Sequence, residues 1–165
     1  AWDTGLDLAA QAFPAGMDPL LQKALFKDAA VGRLIAWPPV PQRAAWTVHQ
    51  AMPWNGGTLA TAGGLVFEGT ADGHFRAYDA RSGKLLWSYA LPNGVIAAPM
   101  TYRIDGTQYV AVMMGWGGSF ALAGGAAAKV PGRDYECYLL VFKLGGKAVL
   151  PPPHQLEYGI PQPPP

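Results

Sequence analysis

The feature that most constrains the fold of this chain is an internal repeat. Residues 32–37 (GRLIAW) recur as residues 73–78 (GHFRAY), and Trp46 recurs as Trp87 with the same offset of 41 positions. Short β-like runs with a period of about 40 residues are typical of propeller blades, each a four-stranded antiparallel sheet. Two hairpins of an unrelated β protein can look alike by chance, but the shared offset of two separate features favours a propeller.

Turn-forming dipeptides between the apolar runs place the strands. These turn signals are Gly63-Gly64, Asp72-Gly73, Ser82-Gly83 and Asp105-Gly106. They predict one whole blade, with strands at residues 58–62, 65–69, 74–79 and 84–91. Two predicted strands precede this blade, at residues 33–37 and 44–49, and three follow it, at residues 96–104, 108–114 and 138–144.

The predicted fold is therefore all-β: a partial β-propeller of about two four-stranded antiparallel blades, with one short helix. Asp18 is the expected N-cap of that helix and Pro19 its first residue. The strand count predicts that the chain starts in mid-blade and stops one strand short. A strand from elsewhere must then complete the last blade, because natural β proteins avoid open sheet edges.

The expected domain organisation has three parts. A loop and the short helix occupy residues 1–31, the blades occupy residues 32–146, and a proline-rich tail or linker occupies residues 147–165. Within the blades, a half blade is followed by a full blade at residues 57–91 and by an incomplete closing blade at residues 96–144.

The composition argues against several functions. A net charge of +1 with 14% charged residues gives no basic surface for nucleic acid or an anionic membrane, and no run of about 18 apolar residues is present to span a bilayer. The single cysteine, Cys137, excludes an internal disulfide and is expected to be a small buried side chain, and Met113 and Met114 are expected in the core. The histidines lack metal-ligand spacing, so no metal site is predicted; they are His49, His74 and His154.

Residues 77–87 (AYDARSGKLLW) form a strand–turn–strand segment with a specific physical design. Asp79 is placed to accept hydrogen bonds from turn amides, and Gly83 supplies the positive φ that a tight turn needs. Trp87 is expected to pack on the neighbouring blade and to donate its indole N–H to a carbonyl. The first copy departs from this pattern because Pro38 stands where the aspartate belongs, which puts that turn in doubt.

This segment resembles the tryptophan-docking motif of quinoprotein propellers, and further motifs resemble the closing region of pyrroloquinoline quinone (PQQ)-dependent alcohol dehydrogenases. Those motifs are WNGGT at 54–58, AGGLVFEGTADG at 62–73, GTQYVA at 106–111, GWGG at 115–118 and LLVFKLGG at 139–146. Together they cover most of residues 32–146 in order. The ending KLGGK, followed by proline-rich sequence, is most similar to the type II quinohaemoproteins, in which a linker joins a propeller of about eight blades to a cytochrome c domain.

The resemblance implies that two residues contribute to the cofactor site. Asn55 corresponds to the asparagine that contacts the quinone in the family, and an amide can both donate to and accept from quinone and carboxylate groups. Trp116 corresponds to a tryptophan that reaches the cofactor pocket near the propeller axis. The competing interpretations are a simple Asn55-Gly56 turn and an exposed or inter-blade packing tryptophan. Trp54 fits substrate-entrance lining or plain packing equally.

The function implied by the resemblance is oxidation of alcohols to aldehydes or ketones by a PQQ- and calcium-dependent enzyme of the periplasm. The implied partners are the remainder of the propeller, an alcohol substrate and a cytochrome domain or subunit whose haem c receives the electrons. None of the family's calcium ligands, catalytic base or vicinal cysteines matches a residue here. No catalytic or metal-binding residue is therefore predicted, and the isolated chain is expected to be inactive.

Two other functions stay open at this point. One is a non-catalytic propeller scaffold that binds proteins, and the other is a quinoprotein sugar or polyol dehydrogenase. Asn55 and the glycine-rich loop at residues 115–118 argue against a scaffold, because a scaffold needs no polar group and no tryptophan aimed at the propeller axis. The substrate preference depends on residues that the motifs do not include.

Overall fold

Nine β-strands in three antiparallel sheets make up the described part of this computed structural model, which comprises residues 18, 20, 32–52, 55–116, 137–152 and 154. In chain order they are β1 (Gly32–Ala36), β2 (Trp46–Gln50), β3 (Thr58–Ala60), β4 (Leu65–Thr70), β5 (His74–Asp79), β6 (Leu85–Ala90), β7 (Met100–Ile104), β8 (Thr107–Met114) and β9 (Tyr138–Lys143). The first sheet pairs β1 with β2, the second has the order β3-β4-β5-β6, and the third has the order β7-β8-β9. Each strand pairs with its neighbour in sequence, which is the meander of a propeller blade. The all-β prediction is confirmed.

The strands lie close to the positions that the turn signals predict. β5 has the predicted bounds, whereas β7 begins at Met100 although the sequence predicts a strand from residue 96. Pro99 precedes β7 and has no N–H to donate to a strand ladder. Upstream of it, Val95 instead forms an isolated parallel bridge with Gly115.

The predicted helix and tail lie mostly outside the described residues. Asp18 accepts a hydrogen bond on its carboxylate from the Leu20 backbone N–H at 2.8 Å, which is the contact that an N-cap residue makes. The predicted division into three parts stays a prediction, because most of residues 1–31 and of the tail is not described. Among the described residues, no helix is long and apolar enough to cross a membrane.

The tryptophan of the first repeat copy docks on the second sheet. Trp46 donates its indole N–H to the Ala80 carbonyl oxygen at 3.0 Å. Its ring lies so close to Gly83 that a Cβ at that glycine would come within 2.7 Å of a ring carbon. Since Gly83 also has a φ of 69°, both the backbone conformation and the indole require glycine there.

The turn between β5 and β6 confirms the role expected of Asp79. Its carboxylate accepts a hydrogen bond from the Ser82 backbone N–H at 2.8 Å, and its own N–H donates to the Lys84 carbonyl at 2.9 Å. Pro38 occupies the equivalent position in the first copy and has no N–H to make the second bond. The pairing of β1 with β2 accordingly ends at Ala36, so the two turns differ as the sequence indicates.

An aromatic cluster joins the second sheet to the third. Phe142 of β9 has its ring centroid 5.3 Å from Phe75 and 5.5 Å from both Trp87 and Tyr89. The ring planes of Trp87 and Phe142 are inclined by 77°, an edge-to-face arrangement that aromatic quadrupoles favour. Trp87 therefore packs on the neighbouring sheet, as predicted, although it is 38% exposed. The hydrogen bond expected from its indole N–H stays a prediction. The fully packed core between these sheets consists of Phe75, Val95, Val110, Val112, Met114 and Leu140.

The opposite face of the third sheet is apolar and exposed. We call it the outer face; its large apolar side chains are Met100, Tyr102, Ile104, Met113, Leu139 and Val141, which are between 37% and 61% exposed. The prediction that Met113 is a core residue is therefore wrong, whereas Met114 is 1% exposed as expected. Successive residues of a strand point to opposite faces, so two adjacent methionines cannot share one core.

The prediction that Cys137 is buried is also wrong, because its side chain is exposed. It lies one residue before β9, and its Sγ approaches Gly115 at the end of β8. This end of the sheet borders an open cavity of about 270 Å³ rather than the core, which accounts for the exposure.

Candidate functional site

Asn55 lies where the chain leaves the first sheet and meets the turn between β4 and β5. Its side-chain oxygen accepts a hydrogen bond from the Ala71 backbone N–H at 3.0 Å, and its side-chain nitrogen donates to the Met52 carbonyl at 2.9 Å. A carboxamide has two donor hydrogens and two acceptor lone pairs, so one of each remains for a ligand. The Asn55 side chain is thus held by two backbone groups and can still form hydrogen bonds with a ligand.

Close backbone approach explains the glycines around Asn55. A Cβ at Gly32 would come within 2.5 Å of the Asn55 side-chain nitrogen. A Cβ at Gly56 would come within 2.8 Å of the Ala97 carbonyl oxygen and 2.9 Å of the Val95 carbonyl oxygen. A side chain at either position would push neighbouring atoms away. The two glycines therefore allow the chain segments around Asn55 to approach each other closely.

Trp116 follows β8 and is buried, with 5% of its surface exposed. Its indole packs on Gly94, where a Cβ would come within 2.6 Å of the ring. Gly115 holds the preceding backbone in place, because its N–H donates to the Gly94 carbonyl at 2.7 Å. Burial excludes the exposed-tryptophan interpretation. The remainder of the loop, residues 117–118, lies outside the described residues, as does Trp54.

The backbone at Val95 connects the two predicted site residues. Val95 donates its N–H to the Thr70 carbonyl at 3.1 Å, next to the Ala71 amide that holds Asn55. On its other side it forms the parallel bridge with Gly115, next to Trp116. The structure therefore brings both residues against one stretch of backbone at the same end of the second and third sheets.

An apolar cavity opens on the Trp116 side of this stretch. Its volume is about 270 Å³, and it is lined by Ile96, Ala97, Met113, Met114, Gly115 and Cys137. The described residues contain no group of three or more histidine, cysteine, aspartate or glutamate side chains that could hold a metal ion.

A partly buried polar cluster lies around the turn whose Ala71 amide holds Asn55, and the sequence motifs do not predict it. Its members come from β2, β4, β5 and the β4–β5 turn; they are Gln50, Glu68, Thr70, Asp72, Arg76 and Tyr78. The Gln50 side-chain nitrogen lies 2.6 Å from a Glu68 carboxylate oxygen and 3.2 Å from the Tyr78 hydroxyl. This contact ties the first sheet to the second.

Arg76 is the centre of the cluster. Its two terminal nitrogens donate to the two carboxylate oxygens of Asp72 at 3.1 and 2.8 Å, a bidentate pair. One of them also donates to the Thr70 hydroxyl, which in turn lies within hydrogen-bonding distance of the Asp72 carboxylate. Because a guanidinium can only donate, the Thr70 hydroxyl accepts from Arg76 and donates its single proton to the Asp72 carboxylate, which is closer than the His74 carbonyl oxygen at 3.1 Å.

Burial and charge shift the pKa values of the two carboxyl groups of the cluster in opposite directions. Burial is the main influence on Glu68 and raises its pKa to about 7, although the Arg76 charge opposes this. Burial alone would also raise the pKa of Asp72, but hydrogen bonds from Arg76 and Thr70 outweigh it and lower that pKa to about 2. At neutral pH Asp72 is therefore fully charged, whereas Glu68 is divided between its two forms.

One sequence signal for the cluster exists in retrospect. Glu68 and Arg76 are charged residues in the interior of their strands, and they stand directly opposite each other in the β4–β5 register. Opposite charges at facing positions stabilise a strand pair. Finding them requires the register, which the turn at residues 71–73 fixes.

Comparison with known proteins agrees with the motifs. The family model for the PQQ β-propeller domain of glucose/ethanol/alcohol dehydrogenases matches residues 20–110. This range is more than half of the 165 residues, so the chain belongs to that PQQ β-propeller family.

The relatives are named as alcohol dehydrogenases. The chain is 54% identical over 122 residues to quinohemoprotein alcohol dehydrogenase ADH IIB of Pseudomonas putida, which covers 74% of this chain and 18% of that protein. It is 51% identical over 121 residues to a 1-butanol dehydrogenase (cytochrome c) of Thauera butanivorans, covering 73% of this chain and 17% of that protein. The chain thus spans about a fifth of the length of these relatives.

A solved structure supports the same fold. The crystal structure of the quinohemoprotein alcohol dehydrogenase of Comamonas testosteroni superposes with a TM-score of 0.65 at 48% identity, over 78% of this chain and 19% of that one. The three sheets are therefore similar to blades of a quinoprotein propeller, as the repeat predicts.

Proposed function

We propose that this chain forms part of the PQQ-binding wall of an alcohol dehydrogenase that oxidises alcohols to aldehydes or ketones. The observation that carries the proposal is that the Val95 backbone bonds to Thr70, next to the Ala71 amide that holds Asn55, and bridges to Gly115, next to Trp116, in a chain of the PQQ family. The names of the relatives favour an alcohol over a sugar or polyol as the substrate.

The residues present fit a planar, oxygen-rich quinone. Asn55 keeps one N–H and one lone pair beyond its two backbone contacts, which suits a ligand with carbonyl and carboxylate oxygens. Gly56 lets the backbone beside Asn55 approach the Val95 and Ala97 carbonyls, and Gly94 lets the Trp116 indole pack on the backbone. PQQ, when bound, would supply the carbonyl that accepts the hydride from the alcohol.

Within that site the chain's own residues would bind and enclose rather than react. Asn55 would orient the cofactor by hydrogen bonding, and Trp116 would exclude water from one side of the pocket through its buried indole. The catalytic base and the calcium ligands of the proposed enzyme would lie in parts of the protein outside this chain. Activity of the isolated chain is accordingly not expected.

Electron transfer to a cytochrome is supported by the relatives' names, whereas the periplasmic location rests on the motif resemblance alone. The words quinohemoprotein and cytochrome c in those names support electron transfer from the quinone to haem on a cytochrome domain or subunit. The remainder of the propeller is the other proposed partner, and a periplasmic location is proposed with them.

The proposal is tested in the full-length protein that carries this chain. Purified N55A and W116F variants are titrated with PQQ, and turnover of ethanol is followed with a dye acceptor. We expect N55A to weaken PQQ binding by about tenfold, which corresponds to the loss of about one good hydrogen bond to a charged ligand.

The matched control is Q108A, which removes an exposed amide side chain on β8. A protein that binds no PQQ at all would favour the scaffold alternative instead. A wild-type protein that oxidises sugars or polyols in preference to simple alcohols would contradict the proposed substrate class.

A further inference from the structure

We infer that Thr70, Asp72 and Arg76 form a clamp whose role is to position Asn55 for the cofactor. They would be positioning residues and would not touch the cofactor themselves. The inference rests on the proposed function, because it gives the three residues a purpose only if Asn55 binds PQQ. It goes beyond that function by assigning a role to side chains for which the motifs predict none, although Thr70 and Asp72 lie within the motif at residues 62–73.

The first step is the dependence of Asn55 on one backbone amide. The Asn55 side-chain oxygen is oriented by the Ala71 N–H at 3.0 Å. Ala71 is the first residue of the turn between β4 and β5 and is 3% exposed. If the planar peptide group between Thr70 and Ala71 turned as a unit, this N–H would point away and the Asn55 side-chain amide would be free to rotate.

The second step is that the clamp holds both neighbours of Ala71. Thr70 precedes it and receives a hydrogen bond from Arg76, while Asp72 follows it and forms the bidentate pair with the same guanidinium. The planar guanidinium presents its donors in a fixed geometry, so it sets the orientation of both side chains together. The side chains on both sides of Ala71 are thereby fixed, which adds to the hydrogen bonds that the Thr70 carbonyl accepts from the Gly73 and Val95 N–H groups.

The third step is that the hairpin does not need the clamp to close. The backbone alone supplies hydrogen bonds from Gly73 N–H to the Thr70 carbonyl at 3.1 Å and from Leu91 N–H to the Gly73 carbonyl at 2.8 Å. An ion pair that is not needed to close a turn, yet is bidentate and partly buried, indicates a requirement for precision at that turn.

The fourth step concerns the other end of the Asn55 amide. The Asn55 side-chain nitrogen donates to the carbonyl of Met52, two residues after Gln50. Arg76 also lies 3.5 Å from the Gln50 side-chain oxygen at the end of β2. The same guanidinium therefore contacts the Gln50 side chain, two residues before Met52, as well as the two neighbours of Ala71.

The test is a double-mutant cycle in the full-length protein loaded with PQQ. The variants are N55A, D72N and the double variant, and the readouts are the PQQ dissociation constant and the absorption spectrum of the bound quinone. We expect D72N to weaken PQQ binding by about tenfold when Asn55 is present. In the N55A background the same change should weaken binding by less than about twofold, because the clamp then has nothing left to position.

A second pair of variants covers the case in which D72N does not fold. T70V removes the hydroxyl at nearly constant volume, and T70S restores it; T70V should weaken PQQ binding by several-fold and T70S should recover most of the loss. The matched control is D79N, which neutralises a carboxylate in the β5–β6 turn of the same sheet and should leave PQQ binding unchanged.

The outcomes separate the two proposals. If N55A weakens PQQ binding but D72N weakens it equally in both backgrounds, the clamp is wrong and the role of Asn55 stands. If N55A leaves PQQ binding unchanged, the proposed role of Asn55 is wrong and the clamp falls with it. A T70V variant that binds PQQ like the wild type while T70S does the same would also overturn the clamp.

Discussion

Glu68 is a carboxylic acid with 4% of its surface exposed, at the contact between the first and second sheets. Its pKa is raised from 4.5 to about 7, mainly by burial. A raised pKa in the folded state means that the protonated form stabilises the fold. That contribution is fully present below about pH 4.5 and is lost as the pH rises through about 7.

The contact between β2 and β4 should therefore loosen as the pH rises from about 4.5 to about 7. Hydrogen exchange of peptides from these two strands, corrected for intrinsic rates, should show less protection at the higher pH in the full-length protein. E68Q keeps the shape but cannot ionise, so its protection should be nearly independent of pH. Equal pH dependence in E68Q and the wild type would contradict this assignment, and D105N serves as a control at an exposed carboxylate.

Gly83 is constrained in two ways, by its positive φ and by the Trp46 ring that packs on it. Alanine at this position must adopt a φ of 69° and would also collide with Trp46 at 2.7 Å. The φ strain alone costs about 1 kcal/mol, and forced overpacking adds about 1–3 kcal/mol. We expect G83A to lower the free energy of unfolding by about 2–4 kcal/mol.

Gly106 provides the matched control for that prediction. Its φ of 77° imposes the same backbone strain, but no atom lies within 4 Å of a Cβ built there. G106A should therefore cost only about 1 kcal/mol in denaturant titrations monitored by tryptophan fluorescence. If both variants lost equal stability, the docking of Trp46 on Gly83 would contribute nothing beyond the turn conformation.

Residues whose roles depend on near neighbours were predictable, and residues whose roles depend on register were not. The hydrogen bond from Ser82 to Asp79 spans three positions, and turn chemistry alone anticipates it. The contact of Gln50 with Glu68 spans 18 positions and that of Arg76 with Gln50 spans 26, across two sheets. No local pattern predicts such contacts, and the polar cluster became visible only with the structure.

At the scale of elements, an aromatic cluster adds to the largely aliphatic core that holds the second and third sheets together. Phe142 is the aromatic residue that β9 contributes, and it touches Phe75, Trp87 and Tyr89 of the second sheet. F142A should remove all three contacts and cost about 2–3 kcal/mol, somewhat less than the truncation of a fully buried phenylalanine. Thermal unfolding of the full-length protein measures this loss.

Leu144 offers the matched control for this substitution. It lies one residue after β9 and is fully exposed, so L144A should leave the unfolding temperature unchanged. A loss in L144A as large as that in F142A would mean that truncating any apolar side chain near the end of β9 destabilises the protein, and that the aromatic contacts are not special.

The order of the strands was predictable because turn-forming dipeptides mark the turns between them. The precise ends of some strands were not predictable. Asp72-Gly73 and Asp105-Gly106 fall at the observed turns of the second and third sheets. The start of β7 was placed too early because an apolar run hides the interruption at Pro99. Cys137 was misplaced for a related reason: its residue type favours burial, but its position beside Gly115 lies at the edge of the sheet.

For the whole molecule, the outer face of the third sheet is the feature that the chain itself leaves unexplained. Met113 and Leu139 face each other across β8 and β9, and they are 48% and 61% exposed. Val141 extends the same face and is 48% exposed. Soluble proteins seldom leave a contiguous apolar sheet face in water, and such a face marks a surface that another element covers. Since the chain spans about a fifth of its relatives' length, the proposed remainder of the propeller is available to cover it.

A lysine substitution in the outer face tests whether another part of the protein covers this face. If a neighbouring blade packs on Val141 in the full-length protein, V141K would bury an unpaired charge at a cost of several kcal/mol, and soluble, PQQ-binding protein should fall sharply. V40K makes the same change at a loop residue that is 91% exposed, and it should have no effect. Normal yield and PQQ binding in V141K would mean that the outer face stays in water. The third sheet would then have no neighbouring blade packed on its outer face.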